Sequence, residues 1–341
     1  MDIVTQGIVG ALAAQAVAGP KNIRRATWIG FFAGLPADAD IIISSSTDSL
    51  LTLDFHRQFS HSLLFIPFGG LIVAALLWLL YKNRIAFNEL LKYSMAGYAT
   101  SGLLDCFTSY GTQLLWPFSN ERIAWNIISV VDPIFSITII ISIFFGWRRL
   151  SPYFARGGWL FVAGYFLFGA NQQGQAAVVV KKLAKDRGHS IERLVVKPTM
   201  GNLLVWRTVY QSEGRYYITA VRVSPLSSPL FFPGEPLPIF KLRDGLTNLP
   251  KDSTLITDIY RFKHFSDGYI AYHPENSSII GDVRYSLLPF GNTPLWGITV
   301  KADMPDNHVQ FENYRSETTA AMKIFPQLLT GRWKSWKTLE N

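Results

Sequence analysis

Residues 62–81, SLLFIPFGGLIVAALLWLLY, carry no charge, and Lys82 and Arg84 close the run. Wound as an α-helix, about 20 residues rise roughly 30 Å, the thickness of a bilayer's hydrocarbon core. Residues 134–147, IFSITIIISIFFGW, repeat the pattern. They follow Asp132-Pro133, residues suited to a helix N-cap and first turn, and Arg148 and Arg149 can snorkel at the far end. Residues 26–43 are nearly as apolar but hold Asp38 and Asp40 beside Pro36. Three further stretches are less uniform. Residues 3–19 are small and lightly polar at Gln6 and Gln15. Residues 89–107 present Ala96, Gly97, Ala99 and Gly102, a face suited to close helix packing. Residues 157–180 begin GGWLFVAGYFLFGA and turn polar at Asn171, Gln172 and Gln173. The pattern predicts six helices.

Beyond residue 181 the period shortens to two. ERLVVKP (192–198), NLLVWRTVYQ (202–211), GRYYITAVRVS (214–224) and PLWGITVKA (294–302) alternate apolar and polar positions and read as strands. SPLSSPLFFPGEPLP (224–238) reads as a Pro-rich loop, and ETTAAMKIFPQLLTGRW (317–333) as a helix. The expected fold is therefore an α-helical membrane domain of about six helices over 1–180, followed by a β-rich α+β soluble domain over 181–341.

Composition agrees with partial embedding: of 341 residues, 49% are hydrophobic and only 16% charged, against about 25% charged in an ordinary soluble chain. The net charge of +8 is explained by where the bases fall. Lys21, Arg24, Arg25, Lys82, Arg84, Arg148, Arg149 and Arg156 occupy the links at 20–25, 82–84 and 147–156, whereas the links at 44–61 and 108–124 hold only Arg57 and Arg122. Basic excess marks the cytoplasmic side, so the latter two links belong to the opposite, extracytoplasmic face, as does the C-terminal domain if the sixth helix crosses. No basic cluster interleaved with aromatics points to nucleic acid. The expected partners are membrane lipids, and no protein partner is indicated. One cysteine, Cys106, excludes an internal disulfide and a cysteine-rich zinc site.

Ionisable residues at membrane depth are costly and face a cavity or one another. Four polar clusters break the apolar sequence here: Asp38/Asp40, His56/His61, Ser101/Asp105 and Asp132. Carboxylates with imidazoles suit a divalent ion, Zn²⁺ first, with Mn²⁺ or Mg²⁺ as alternatives. Each cluster has a plainer reading. The aspartate pair could break a helix after Pro36, Ser101 could hydrogen-bond a neighbouring helix, and Asp132 could be an N-cap. His56 and His61 would lie roughly 140° apart on a straight helix, so they point together only across a turn, such as one in which Ser60 or Ser62 caps the next helix. The segment 107–126 is rich in aromatics and turn formers; it reads as an interfacial loop in which Thr108 and Tyr110 could offer hydroxyls to a substrate, beside Arg57. His189, His264, His273 and His308 show no ligand spacing. No Walker loop, dinucleotide fingerprint, nucleophile elbow or HExxH is present.

ADAD at 37–40, HRQFSHS at 56–62, LLDCFTSYGTQLLWPFS at 103–119 and VDP at 131–133 resemble the bacterial membrane-bound metal-dependent hydrolase family. The stretches VVKPTMGNLLVWRTVY, HFSDGY and GDVRYSLLP resemble its longer members, which carry a C-terminal soluble domain. The resemblance implies an inner-membrane hydrolase with Asp38, Asp40, His56, His61 and Asp105 as candidate metal ligands, and Asp105 and Asp40 as candidate acid/base groups. Members of that family carry a histidine four residues before the aspartate matched by Asp105; this chain has Ser101. The expected function is hydrolysis at a phosphoryl or acyl centre, on a substrate that could be lipid-linked. The alternatives are a non-catalytic membrane protein with a structural or vestigial metal site and a partner-binding outer domain, and, further off, a transporter.

Overall fold

The computed structural model describes residues 1–82, 84–242, 249–250, 252–315 and 318–333. The chain forms two units: Met1–Ile43, Phe55–Ala170 and Met200–Asn202 make the first, and Ser44–Asp54, Asn171–Thr199 and Leu203–Asn341 the second.

The first unit is helical. Its long helices are α1 (Ile3–Ala16), α2 (Ile23–Gly34), α4 (Ile66–Tyr81), α5 (Phe87–Cys106), α6 (Pro133–Arg149) and α7 (Tyr153–Asp186), the last running on into the second unit; α3 (Leu51–Phe55) is a single turn. Asp2 caps α1 by accepting the Thr5 N–H at 3.0 Å. Every residue of α1 from Thr5 to Gln15 is buried, so the stretch that looked small and lightly polar is the hub of the bundle. Small residues allow this. A Cβ on Gly10 would strike the Gly30 carbonyl oxygen of α2, and one on Gly97 of α5 would come within 2.6 Å of that same oxygen. Backbones of α1, α2 and α5 therefore meet with nothing between them.

The run over 26–43 is not one helix. Leu35 ends α2, and Pro36, with no N–H to donate, opens a 3₁₀ stretch, Pro36–Ile42. Asp132 is the N-cap of α6, accepting the Phe135 N–H at 3.1 Å, while its second oxygen accepts the Tyr165 hydroxyl at 2.8 Å. Among the described residues, one helical stretch, Leu63–Tyr81, is long and apolar enough to cross a membrane.

The second unit holds two antiparallel sheets. β1 (Arg193–Pro198), β2 (Val205–Ser212), β3 (Arg215–Ser224) and β4 (Ser227–Pro233) follow one another across the first, and β5 (Leu237–Pro238) also pairs β3. β6 (Ile270–His273), β7 (Asn276–Asp282), β8 (Trp296–Thr299) and β9 (Gln310–Asn313) form the second. Val209, Tyr216, Ile218, Tyr269, Ala271 and Val283 share one core. The expected strands at 192–198, 202–211 and 214–224 are present with bounds shifted by up to three residues, and that at 294–302 shrinks to Trp296–Thr299. The Pro-rich stretch is a correction: it contributes β4 and β5, its prolines tolerated on strands at the sheet's margin. Helix α9 (Thr318–Thr330) lies where a helix was expected, apart from Glu317, which lies outside the described residues. Helix α8 (Thr254–Phe265) was not anticipated, although Leu255, Ile256, Ile259 and Phe262 show helical spacing behind the Ser253 cap.

Candidate metal centre

Three chain segments end near one another in the first unit. The 3₁₀ stretch after α2 brings Asp38 and Asp40, the turn before α4 brings His56 to His61, and the C-terminal turn of α5 brings Asp105. Two features turn the histidine segment inward. Arg57 adopts a left-handed conformation, φ 61°, uncommon for a residue with a side chain. Phe59–His61 then form a 3₁₀ turn. The helix-spacing objection to a shared site is thereby removed, and the two imidazole centroids stand 6.2 Å apart. Gly102 lets α5 lie directly against this turn, since a Cβ there would collide with the His61 carbonyl oxygen.

Asp40 is the organiser. It is 4% exposed. Its Oδ2 accepts the Arg57 N–H at 2.8 Å and the Ser60 hydroxyl at 2.7 Å and lies 3.3 Å from His61 Nδ1, while Oδ1 meets His56 Nδ1 at 2.8 Å. Both imidazoles thus turn Nδ1 to the same carboxylate. His61 Nε2 stands 3.2 Å from Asp38 Oδ1 and 3.2 Å from Asp105 Oδ2. Asp105, wholly buried, also pairs with Arg57 Nε at 3.1 Å and the Met1 amino group, and accepts from Gln6 Nε2 at 3.2 Å. Burial opposes charge on His61, but the carboxylates of Asp105, Asp38 and Asp40 outweigh it and push the imidazolium up to about 10.

The loop 107–126 frames this cluster. Thr108 accepts from Arg57 Nη1 at 3.1 Å and donates to the Asp105 carbonyl at 2.8 Å. Arg57 also lies 5.3 Å from the Tyr110 ring centroid, and Tyr110 meets His56 ring to ring at 6.2 Å. The Gln113 N–H donates to the Arg57 carbonyl at 2.9 Å, and Leu63 N–H to the Leu114 carbonyl at 3.0 Å, binding loop to turn. Ser101 faces away, donating to the Gly34 carbonyl at 3.0 Å. The helix-bridging reading of that serine is the one observed.

Asp38, His61 and Asp105 each offer a ligand atom within 4.8 Å of the others. Asp38 Oδ1 and His61 Nε2 are buried without a properly directed hydrogen bond, an arrangement costly to leave unsatisfied. A tetrahedral ion about 2.0–2.1 Å from each donor keeps donors about 3.3 Å apart, close to the 3.2 Å found. The residues fit a divalent ion. The expected set Asp38, Asp40, His56, His61 and Asp105 is brought together, with Asp40 and His56 one layer out. At the turn where Ser60 or Ser62 was expected to cap the next helix, Ser62 is the cap and Ser60 donates to Asp40; sequence reasoning missed Gln6 and the Met1 amino group. Gln6 alone left a trace, as an amide in an apolar helix.

The helical unit contains an apolar stretch long enough to span a bilayer, Leu63–Tyr81, and gathers its ionisable residues at helix ends. The chain belongs to the YdjM inner membrane protein family, whose model matches residues 1–176, over half its length. It is also similar to the uncharacterized protein YfhP of Bacillus subtilis strain 168, 26% identical over 226 residues, or 64% of this chain and 67% of that one. No solved structure matches. The family carries the membrane part of the resemblance drawn from the motifs.

Proposed function

We propose that this chain is a membrane-bound, metal-dependent hydrolase acting on a phosphoryl or acyl centre of a lipid-linked substrate at the periplasmic face of the inner membrane. The observation that carries the reading is the trio Asp38, His61 and Asp105, whose ligand atoms lie within 4.8 Å of one another, with Asp38 Oδ1 and His61 Nε2 buried and lacking a directed hydrogen bond. These three would hold the ion, Zn²⁺ first, with Mn²⁺ or Mg²⁺ as alternatives. A divalent ion there supplies a Lewis acid that stabilises developing negative charge and lowers the pKa of water towards ~7.

The chain's own groups do the rest. Asp40 fixes the ring of His61 and holds His56 by its Nδ1, so that His56 Nε2, on a side chain 22% exposed, can take and return a proton. Arg57 keeps Asp105 ionised and oriented. Tyr110 and Thr108 stand beside this edge.

Several observations support a multi-pass arrangement with the site away from the cytoplasm. Arg24 lies over the Trp147 ring at 4.5 Å, and Arg156 donates to the Ala16 carbonyl at 3.2 Å. The C-terminal end of α1 and the basic ends of α2, α6 and α7 are therefore gathered together. The acidic and imidazole groups lie at the opposite helix ends. Beyond α4, helix α6 exposes Ile137, Ile141 and Phe144, and α7 exposes Leu160 and Leu167, surfaces suited to lipid.

Metal analysis of detergent-purified protein, wild type beside His61→Ala, tests the proposal. We expect close to one ion per chain in the wild type and at least a tenfold loss in the variant, with phosphomonoester or ester hydrolysis falling in parallel. Metal-free wild type, or equal metal in both, overturns it.

A further inference from the structure

The second unit contains a cleft that the proposed reaction does not use. Leu255, Thr299, Lys301, Met304, Asn307 and Gln310 line it together with His308, enclosing about 70 Å³. That is far below the roughly 300–1,000 Å³ of a drug-sized site, so its occupant is a single small group.

The cleft's back wall is built rather than incidental. Asp258 of α8 is fully buried, and its Oδ2 accepts both the ring N–H at His308 Nδ1, 2.9 Å away, and the Val309 N–H at 3.1 Å. Its Oδ1 accepts Arg261 Nη1 at 2.7 Å. With Nδ1 committed to this carboxylate, the ring is fixed in orientation. Lys301 and Gln310 have no side-chain partner among the described residues, and no carboxylate lines the cleft. Asp48, Asp54 and Asp258 all accept from Arg261, at 2.9, 2.6 and 2.7 Å. Asp48, Asp258 and His308 also have metal-ligand spacing, but the guanidinium spans the oxygens an ion would need. What remains unspent is an ammonium and an amide, beside an oriented imidazole, around a space sized for one oxyanion.

We propose that this cleft binds a small oxyanion, a single carboxylate or phosphate group, through the Lys301 ammonium and the Gln310 amide N–H, with the His308 ring as the wall it covers. Such a group could be free in solution or carried on a lipid headgroup. Val309, whose N–H is held by Asp258, passes its carbonyl to the Ser49 hydroxyl at 2.7 Å. The occupant would therefore rest on the residues that also fix the segment 44–54.

Carbethoxylation of histidines in the detergent-purified full chain, read by peptide mass mapping, gives a signal belonging to His308 alone, unaffected by anion binding elsewhere. Inorganic phosphate or acetate at ten times its dissociation constant should slow labelling of His308 about tenfold. Lys301→Ala should remove the protection and Lys301→Arg restore it. If short-chain phosphatidate in mixed micelles protects at lower concentration than inorganic phosphate, the group is carried on lipid; the reverse marks a free anion. Equal labelling of His308 with and without phosphate, acetate and phosphatidate overturns the proposal, as does protection that survives Lys301→Ala.

Discussion

Among the described residues, two clusters combine two aspartates with a histidine at metal-ligand spacing, and their charges are settled in different ways. In the second unit, one guanidinium, Arg261, bonds to Asp48, Asp54 and Asp258, and His308 completes a network whose outer members are 17–41% exposed. In the first unit, Asp38, Asp40 and Asp105 face Arg57, the Met1 amino group and two imidazoles, and Asp38 Oδ1 and His61 Nε2 are buried without a directed hydrogen bond. Spacing alone does not separate a metal centre from a salt-bridge network. What separates them is whether buried donor atoms lack a directed hydrogen bond, as Asp38 Oδ1 and His61 Nε2 do in the first unit, or whether the carboxylates all accept from one guanidinium, as in the second.

The sharpest test of that difference is to remove one charge from each cluster. Asp105→Asn preserves shape but leaves Arg57, only 4% exposed, without its counter-charge. Uncompensated buried charge costs about 3–5 kcal/mol, enough to move a thermal unfolding midpoint in detergent by many degrees. Arg261→Gln strips the second cluster, yet Asp258 keeps His308 and the Val309 N–H, and Asp48 and Asp54 can turn to water. Its cost should be about 1 kcal/mol. Equal losses for the two variants would mean that the contrast between the clusters is not real.

How far the first cluster could be read from sequence follows from what made it visible. Asp38, Asp40, His56, His61 and Asp105 stood out because charge in an apolar run is costly and seldom accidental. Their joint location depends on one left-handed residue, Arg57, and one 3₁₀ turn, neither marked by a glycine or proline at that position. Asp105's partners Gln6 and Met1 are supplied from about a hundred residues away, by a helix whose pattern looked too weak to be central. In the second unit, alternation revealed β1, β2, β3 and β8. It failed at β4, where prolines mask a strand that is largely exposed. Lys197 was equally hidden: it sits in the strand VVKP as an ordinary polar position, yet it is 3% exposed, with Nζ 2.9 Å from the Tyr285 ring centroid. Only the tertiary cover over that face of the sheet decides its burial.

Gly102→Ala probes the first cluster without touching a charge. The added methyl must displace the His61 carbonyl or α5 itself. Neither is a flexible side-chain end, so overpacking should cost about 1–3 kcal/mol. Because the displaced residue is the central imidazole, metal content should fall more steeply than stability. Gly30→Ala, in the packing seam of α1 and α2, should instead lower stability with metal content unchanged in the folded fraction. Metal retained in Gly102→Ala at wild-type stoichiometry would separate His61 from the proposed site.

Arg261→Gln offers the finest discrimination, in metal and in pH. If the guanidinium is what excludes an ion from the second cluster, its removal frees Asp48, Asp258 and His308, which already offer ligand atoms within 4.8 Å of one another. The variant should then take up a second, weaker equivalent of Zn²⁺ in equilibrium dialysis, one that Asp258→Asn abolishes. The acid limb reports the same pairing. Partial burial works against ionising Asp48, but hydrogen bonds from Arg261 and the Leu50 N–H outweigh it and hold the carboxyl below its ordinary value of 3.8. A carboxyl depressed in the folded state contributes stability that is complete above its unfolded pKa and is lost as pH falls through the folded one. Wild-type stability should therefore decline below about pH 4. Arg261→Gln, already lacking the pairing, should decline less over that interval. Parallel acid limbs in the two proteins would place the pairing energy outside Arg261 and remove the ground for treating this cluster as the filled counterpart of the other.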